Sequence, residues 1–520
     1  VATRLSRPPL AAGLLLLLLS ACQSGPPRAP DTAIARCESL FTAQDRAIAA
    51  AGVARSHPHR IEGFPYLRVT RLLASYRDAA TDPARRDAWL QALAQADARA
   101  RDSELALLSG NESARLTSER TSSATEAADT CRELLLARDR DSPARQAQLA
   151  ERAVVADEYS VASRVFGLYP LAALGLRAGV SRWHESVRER WEMPRDVLAG
   201  GLSLVHYAPA ARSPPVADRA APRAGAPQTA GAIPRDALDL PDPSPAQLET
   251  LLDRHAPVWV VATASEADRP GVPRHTRHKP TVDSAEPTTY RYSSVTRFQG
   301  LARLQLNYLV WFSERPAEGP LDPLAGALDG VIWRVTLDED GSPLAYDSVH
   351  ACGCYHLLFP VGDLRPRADL SDLPEPPLVL PALTPPGPGE RMHLFLAAGS
   401  HYLERAWPAL PAADAMTYRS LDREALYRVD GPVGKRSLFA PNGLVPGTAR
   451  GERWFLWPSG VRSPGAMRER GRRATAFLGR RHFDDPFLFD TVFRTGPPDD
   501  GGTLSLRTPP ADNSTPSSAR

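Results

Sequence analysis

Apolar residues recur at three- and four-residue spacing from about Asp31 to Trp191, the period of helices with one buried face. The stretches AWLQALAQADARA (88–100) and CRELLLARDRD (131–141) show it most plainly. Asp82-Pro83 and Ser142-Pro143 read as helix starts, a capping side chain followed by proline in the first turn. Residues 161–191, VASRVFGLYPLAALGLRAGVSRWHESVRERW, form the most apolar helical stretch. Gly167, Pro170 and Gly175 predict that it divides into two shorter helices, and Arg164, Arg177 and Arg182 argue against a membrane span.

Beyond residue 245 the pattern changes to short runs rich in β-branched and aromatic residues, such as APVWVVATA (256–264), LARLQLNYLVWF (301–312) and RMHLFLAAG (391–399). VIWRVTLDEDGSPLAYDSV (331–349) predicts a hairpin, two alternating runs around Asp340-Gly341. The expected fold class is α+β, a helical domain (31–200) followed by a mostly antiparallel β-rich domain (246–496). A Pro/Ala-rich linker (201–245) is expected between them. The polar, Pro/Ser-rich tail (497–520) reads as disordered.

Composition is that of ordinary globular material, 43% hydrophobic and 23% charged. The whole chain holds 62 Lys and Arg against 60 Asp and Glu, so charge makes no case for a nucleic-acid partner.

The N-terminus reads as a targeting segment. Arg4 and Arg7 precede an apolar run, Leu10 to Leu19, too short to span a bilayer. Leu19-Ser20-Ala21-Cys22 follows, and this resembles the lipobox of bacterial lipoproteins. The resemblance covers only the first two dozen residues. It implies a signal peptide (1–21), cleavage before Cys22, a lipid thioether on that sulfur, an acyl chain such as palmitate on the new N-terminus, and a short tether (22–30). Gln23, where an aspartate would favour the inner membrane, implies an outer-membrane anchor facing the periplasm.

Of five cysteines, lipidation of Cys22 would leave Cys37, Cys131, Cys352 and Cys354. An even number in an oxidising compartment favours disulfides, and the simplest pairing is Cys37–Cys131 with Cys352–Cys354. The first would close a loop of ~95 residues, for which chain entropy gives about 4–5 kcal/mol.

The segment YDSVHACGCYHLLFP (346–360) carries the densest chemistry. On a strand, His350, Cys352, Cys354 and His356 would all face one side, yet at ~3.3 Å per residue the two histidines would lie ~20 Å apart. Four ligands on one zinc, each within about 2.0–2.3 Å, cannot be met that way. Zinc or another transition metal would need a bend at Gly353 or distant ligands, for which His275, His278 and His401 are candidates. A Cys352–Cys354 bridge would also need the bend, because residues two apart on a strand sit near the upper limit of disulfide geometry. A redox-active pair is the third reading.

No complete catalytic motif is present. HESVR (184–188) lacks the second histidine of a zinc-protease helix. The basic run MRERGRRATAFLGRRH (467–482) reads as a charged helix face or, alternatively, as a site for an anionic headgroup or glycan, and Trp454 and Trp457 as aromatic core or as sugar-stacking residues. The expectation is a lipid-anchored envelope protein with a binding or structural role, its partner an envelope protein or glycan, and with Cys352 and Cys354 oxidised. The alternatives are a hydrolase-like metal enzyme and a thiol–disulfide protein. Substitution Cys22→Ala is expected to move the protein from the membrane fraction to the soluble fraction on cell fractionation. Retention on the membrane would remove the case for an acyl anchor.

Overall fold

The computed structural model describes residues 29–117, 123–210, 232–432 and 434–496. The lipobox, Cys22, most of the tether and the tail lie outside them. Helices α1 (Ala29–Ala50), α2 (Pro83–Leu105), α3 (Ala124–Arg140) and α4 (Pro143–Arg152) surround a hairpin, His59–Ile61 with Phe64–Val69. Asp82 accepts the Ala84 N–H and Ser142 that of Arg145, with proline in each first turn, so both predicted helix starts hold. Phe41, Phe64, Tyr66, Trp89, Leu93 and Leu135 fill this core. The Cys37–Cys131 disulfide, Cα atoms 5.1 Å apart, ties α1 to α3.

An ion-pair network runs through the same core. Asp97 on α2 accepts from Arg68 (3.0 Å), Arg101 (3.0 Å) and Arg132 (3.3 Å), and Glu104 accepts from Arg68 (2.6 Å). Burial opposes the Asp97 charge, but the three guanidinium groups outweigh it and hold the carboxyl at about 2.

Two further helices, α5 (Val161–Phe166) and α6 (Tyr169–Glu192), do not join this cluster. The chain breaks at Gly167-Leu168 as the sequence predicts, but α6 then runs unbroken through Gly175. Trp191 enters the core of the sheet, with Trp183 and Val187 packed beside it. The helical domain expected over residues 31–200 therefore ends before α5, because the apolar face of α6 finds its complement on the sheet.

The eleven strands of that sheet are, in chain order, β1 (Ser203–Pro209), β2 (Val258–Thr263), β3 (Thr288–Phe298), β4 (Leu301–Arg315), β5 (Gly326–Leu337), β6 (Pro343–His350), β7 (Leu357–Pro360), β8 (Leu378–Val379), β9 (Arg391–Leu396), β10 (Leu403–Ala409) and β11 (Met416–Asp422). Their spatial order is β8-β7-β6-β5-β4-β3-β11-β1-β2-β9-β10. The sheet is mixed, not mostly antiparallel. The hairpins β3–β4, β5–β6 and β9–β10 are antiparallel, and the β5–β6 turn falls at Asp340-Gly341 as predicted. Strand β11 lies parallel to both β1 and β3, and β2 parallel to β9. Alternation of side chains shows where neighbours sit, not the direction in which they run. Strand β1 also corrects the linker expected to begin at residue 201: Ser203–Pro209 is sheet.

Strand β4 feeds two cores with its two faces. Leu304, Leu306, Tyr308, Val310 and Phe312 pack with α6 and with Leu251 and Leu252 of the helix Pro245–Arg254, while Leu309 and Trp311 pack on the other face with Ile332 and Val349. Asp97→Asn is expected to cost about 3–5 kcal/mol in urea unfolding, since it removes the buried carboxylate shared by three guanidiniums and leaves each with only its second partner, Glu104, Asp45 or Asp129. The pH dependence follows from the lowered pKa. Wild-type stability from this group is present above about 4, the unfolded value, and is lost as pH falls towards 2. The difference between wild type and Asp97→Asn should shrink across that window.

Candidate functional site

Residues Ala351–His356 form the turn between β6 and β7, not a strand. The Gly353 N–H donates to the His350 carbonyl (2.8 Å) and the His350 N–H to that of Cys354 (3.0 Å). Gly353 takes φ +95°, and a Cβ there would lie 2.5 Å from the Ala474 carbonyl oxygen, so only glycine fits. The bend the sequence required is therefore present. Its cause is tertiary. The run 467–482, expected as a charged helix face, is an irregular segment in which Arg468 and Arg473 turn inward and Arg480 stays exposed. Arg468 donates its N–H and Arg473 its Nε to the Ala351 carbonyl (both 3.2 Å), which pins the turn.

Cys352 and Cys354 are free thiols, which corrects the expected bridge. The Cys354 N–H donates to Cys352 Sγ (3.3 Å). Burial pushes the Cys352 thiol up, but hydrogen bonds from the Cys354 side chain and backbone outweigh it and hold Cys352 below the ordinary thiol value. Cys354, the donor of that pair and partly buried, is pushed up, first by its hydrogen bond to Cys352 and then by desolvation.

Each flanking histidine is held by a buried aspartate. His350 Nδ1 meets Asp329 Oδ1 (3.3 Å), and His356 Nε2 meets Asp347 Oδ2 (2.8 Å). Asp329 Oδ2 also meets His401 Nδ1 (3.0 Å), whose Nε2 faces Asp268 Oδ1 (3.4 Å). Burial opposes charge on His401, but the two carboxylates outweigh it and raise its pKa. His350 and His356 are lowered, chiefly by burial. His350 Nε2 and His356 Nδ1 have no hydrogen-bond partner.

Among the described residues no group of three or more His, Cys, Asp or Glu side chains converges as a metal site. His401 does come near the turn, as a second hydrogen-bond partner of the Asp329 carboxylate. His275 is bonded to the Ser437 carbonyl (3.0 Å) and His278 is exposed, and neither lines the cavities described next.

A cavity of about 620 Å³ lies over the turn. Helix α6 forms one wall through Leu176, Val180, Trp183 and His184, and Phe455, Val461, Ala476 and Phe477 form another. Cys352, Cys354, Tyr355, His356 and Glu452 make its polar floor. Beneath the floor a void of about 10 Å³, the room of one water, is bounded by His350, Cys352, Tyr355, Arg450 and Glu452. A thiol, a neutral imidazole and a carboxyl thus meet at one small space. Burial raises the Glu452 carboxyl to about 7 despite Arg450 and Arg315 nearby. The side chain fits because residue 465 is glycine: a Cβ there would stand 2.0 Å from Glu452 Oε1.

Sequence reasoning found the two thiols and three of the histidines. It missed Asp329 and Glu452. A lone carboxylate within the apolar run ALDGVIW was a signal for Asp329; Glu452, in the polar stretch ARGERW, gave none. Comparison with models of protein families, with curated proteins and with solved structures gave no match.

The raised carboxyl sets a pH dependence. The fold holds Glu452 protonated, so its contribution is full below about 4.5 and is lost as pH rises through about 7. Thermal unfolding of Glu452→Gln beside wild type should show the variant gaining on wild type between pH 4.5 and 7.5. A difference that stays flat with pH would mean the carboxyl is ionised throughout.

Proposed function

We propose that this chain is a lipid-anchored, periplasm-facing envelope protein that binds a small amphipathic molecule, one with an apolar body and a polar end. The observation that carries the reading is the cavity of about 620 Å³ between α6 and the turn. Its volume falls within the range of small-molecule sites, and so does its character, apolar walls with a few convergent polar groups. The apolar body would lie along Leu176, Val180 and Phe477, and the polar end would meet Cys354, His184 and Glu452.

A second reading is favoured by one observation, the hydrogen-bonded thiol pair on the cavity floor. In thiol–disulfide exchange, the Cys352 thiolate would attack a substrate disulfide and release one substrate thiol. Cys354 would then displace the other and close a Cys352–Cys354 disulfide. The lowered Cys352 and raised Cys354 suit the two roles.

Native mass spectrometry of the purified protein examines both. The binding reading expects an adduct of lipid-like mass, absent from the cavity-filling variant Ala476→Trp, with the thiol pair reduced. The exchange reading expects no adduct and a loss of two mass units on incubation with a small disulfide, abolished in Cys354→Ser. Neither an adduct nor disulfide formation would dismiss both.

A further inference from the structure

An apolar surface lies beside the cavity. Helix α5 and the first turns of α6 turn Val165, Phe166 (79% exposed), Leu171 (68%) and Leu174 (70%) to the outside. A second segment, the short helix Arg453–Leu456 and the turn Trp457–Ser459, adds Trp454 (71%), Phe455 and Trp457. The aromatic core expected of the two tryptophans is thus an outer face. The two segments are one surface: the Ser160 N–H donates to the Gly460 carbonyl (2.7 Å) and Arg164 Nε to that of Ser459 (2.7 Å). Soluble proteins rarely expose so many large apolar side chains together unless something covers them.

The charges around the patch select its occupant. From Ser160 to His184 the only charged residues, leaving histidine aside, are Arg164, Arg177 and Arg182. From Arg453 to Met467 they are Arg453 and Arg462. Neither segment holds a carboxylate. Arg453 lies over the Trp454 ring at 4.6 Å. Aliphatic and aromatic side chains interspersed with arginines, Arg177 and Arg182 exposed among them, are the composition of a surface that lies in a bilayer interface, with tryptophan at headgroup level and guanidinium groups on anionic phosphate. No helix among the described residues is long and apolar enough to cross a membrane, so the contact is peripheral.

We propose that this face docks on a bilayer with anionic headgroups, dipping Phe166 and Leu171 below headgroup level and seating Trp454 where headgroups meet acyl chains. The contact is separate from any lipid on Cys22 and does not depend on what the cavity binds. Phe455 belongs to both features: half exposed on the patch, it also lines the cavity. The cavity would therefore adjoin the membrane.

The experiment is tryptophan quenching by brominated acyl chains. Purified full-length protein is mixed with vesicles of phosphatidylcholine containing phosphatidylglycerol, the acyl chains brominated or not. The expected result is quenching in the brominated vesicles that is largely lost in Trp454→Phe/Trp457→Phe, since the remaining tryptophans lie deeper in the protein. Arg177→Gln and Arg453→Gln should each weaken vesicle binding by about fivefold, and only where phosphatidylglycerol is present. Three outcomes overturn the proposal. Binding without quenching would mean the acyl anchor alone holds the protein. Quenching unchanged in the double variant would place another face on the membrane. A concentration-dependent dimer that the double variant abolishes, without quenching, would make the patch an interface between two copies.

Discussion

The site depends on one buried carboxylate. Asp329 sits on β5, in the middle of the sheet, and its two oxygens hold His350 at the end of β6 and His401 in the β9–β10 turn. Arg450 stands 3.7 Å away and bonds the carbonyls of Leu328 and Gly465. One side chain thus joins the neighbouring strand β6, the far β9–β10 edge of the sheet and the loop that carries Glu452. Burial opposes the Asp329 charge, but His350, His401 and Arg450 outweigh it and keep it well below the ordinary carboxylate range. A carboxylate so enclosed is tolerable only while all its partners remain, so the network fixes their positions closely.

The second histidine is secured in the same manner. Asp347 on β6 is shared between Arg334 Nε (2.8 Å) and His356, and the Arg334 guanidinium lies over the Phe483 ring at 3.6 Å. Both histidines thereby present one unbonded nitrogen, with the Cys-Gly-Cys turn between them. This geometry is a preorganised polar floor. With the apolar walls supplied by α6 and the 455–477 region, it makes a cavity suited to a molecule of two characters, next to a face suited to a bilayer.

Much of the local structure was legible. The helix starts at Pro83 and Pro143, the break after Phe166, the hairpin at Asp340-Gly341 and the Cys37–Cys131 bridge all rest on interactions between near neighbours or on cysteine count. The turn at Cys352–Cys354 was legible only as a need for a bend. The arginines that impose it come from residues 468 and 473, more than a hundred positions away, and as a run of basic residues they look like a solvated surface.

By itself the sequence determined where helix gives way to sheet, several helix starts and one hairpin turn, and it singled out the two thiols and their flanking histidines, because periodicity, capping and turn preferences act within a few residues. The tertiary structure decided the rest. It set the direction of β11 and β9, because strand alternation carries no information on parallel or antiparallel pairing. It left the two thiols free, turned His350 to Asp329 and enclosed Glu452 until its carboxyl held a proton near neutrality. Each of these is a matter of burial and of partners brought together from afar, and neither is written in local order along the chain.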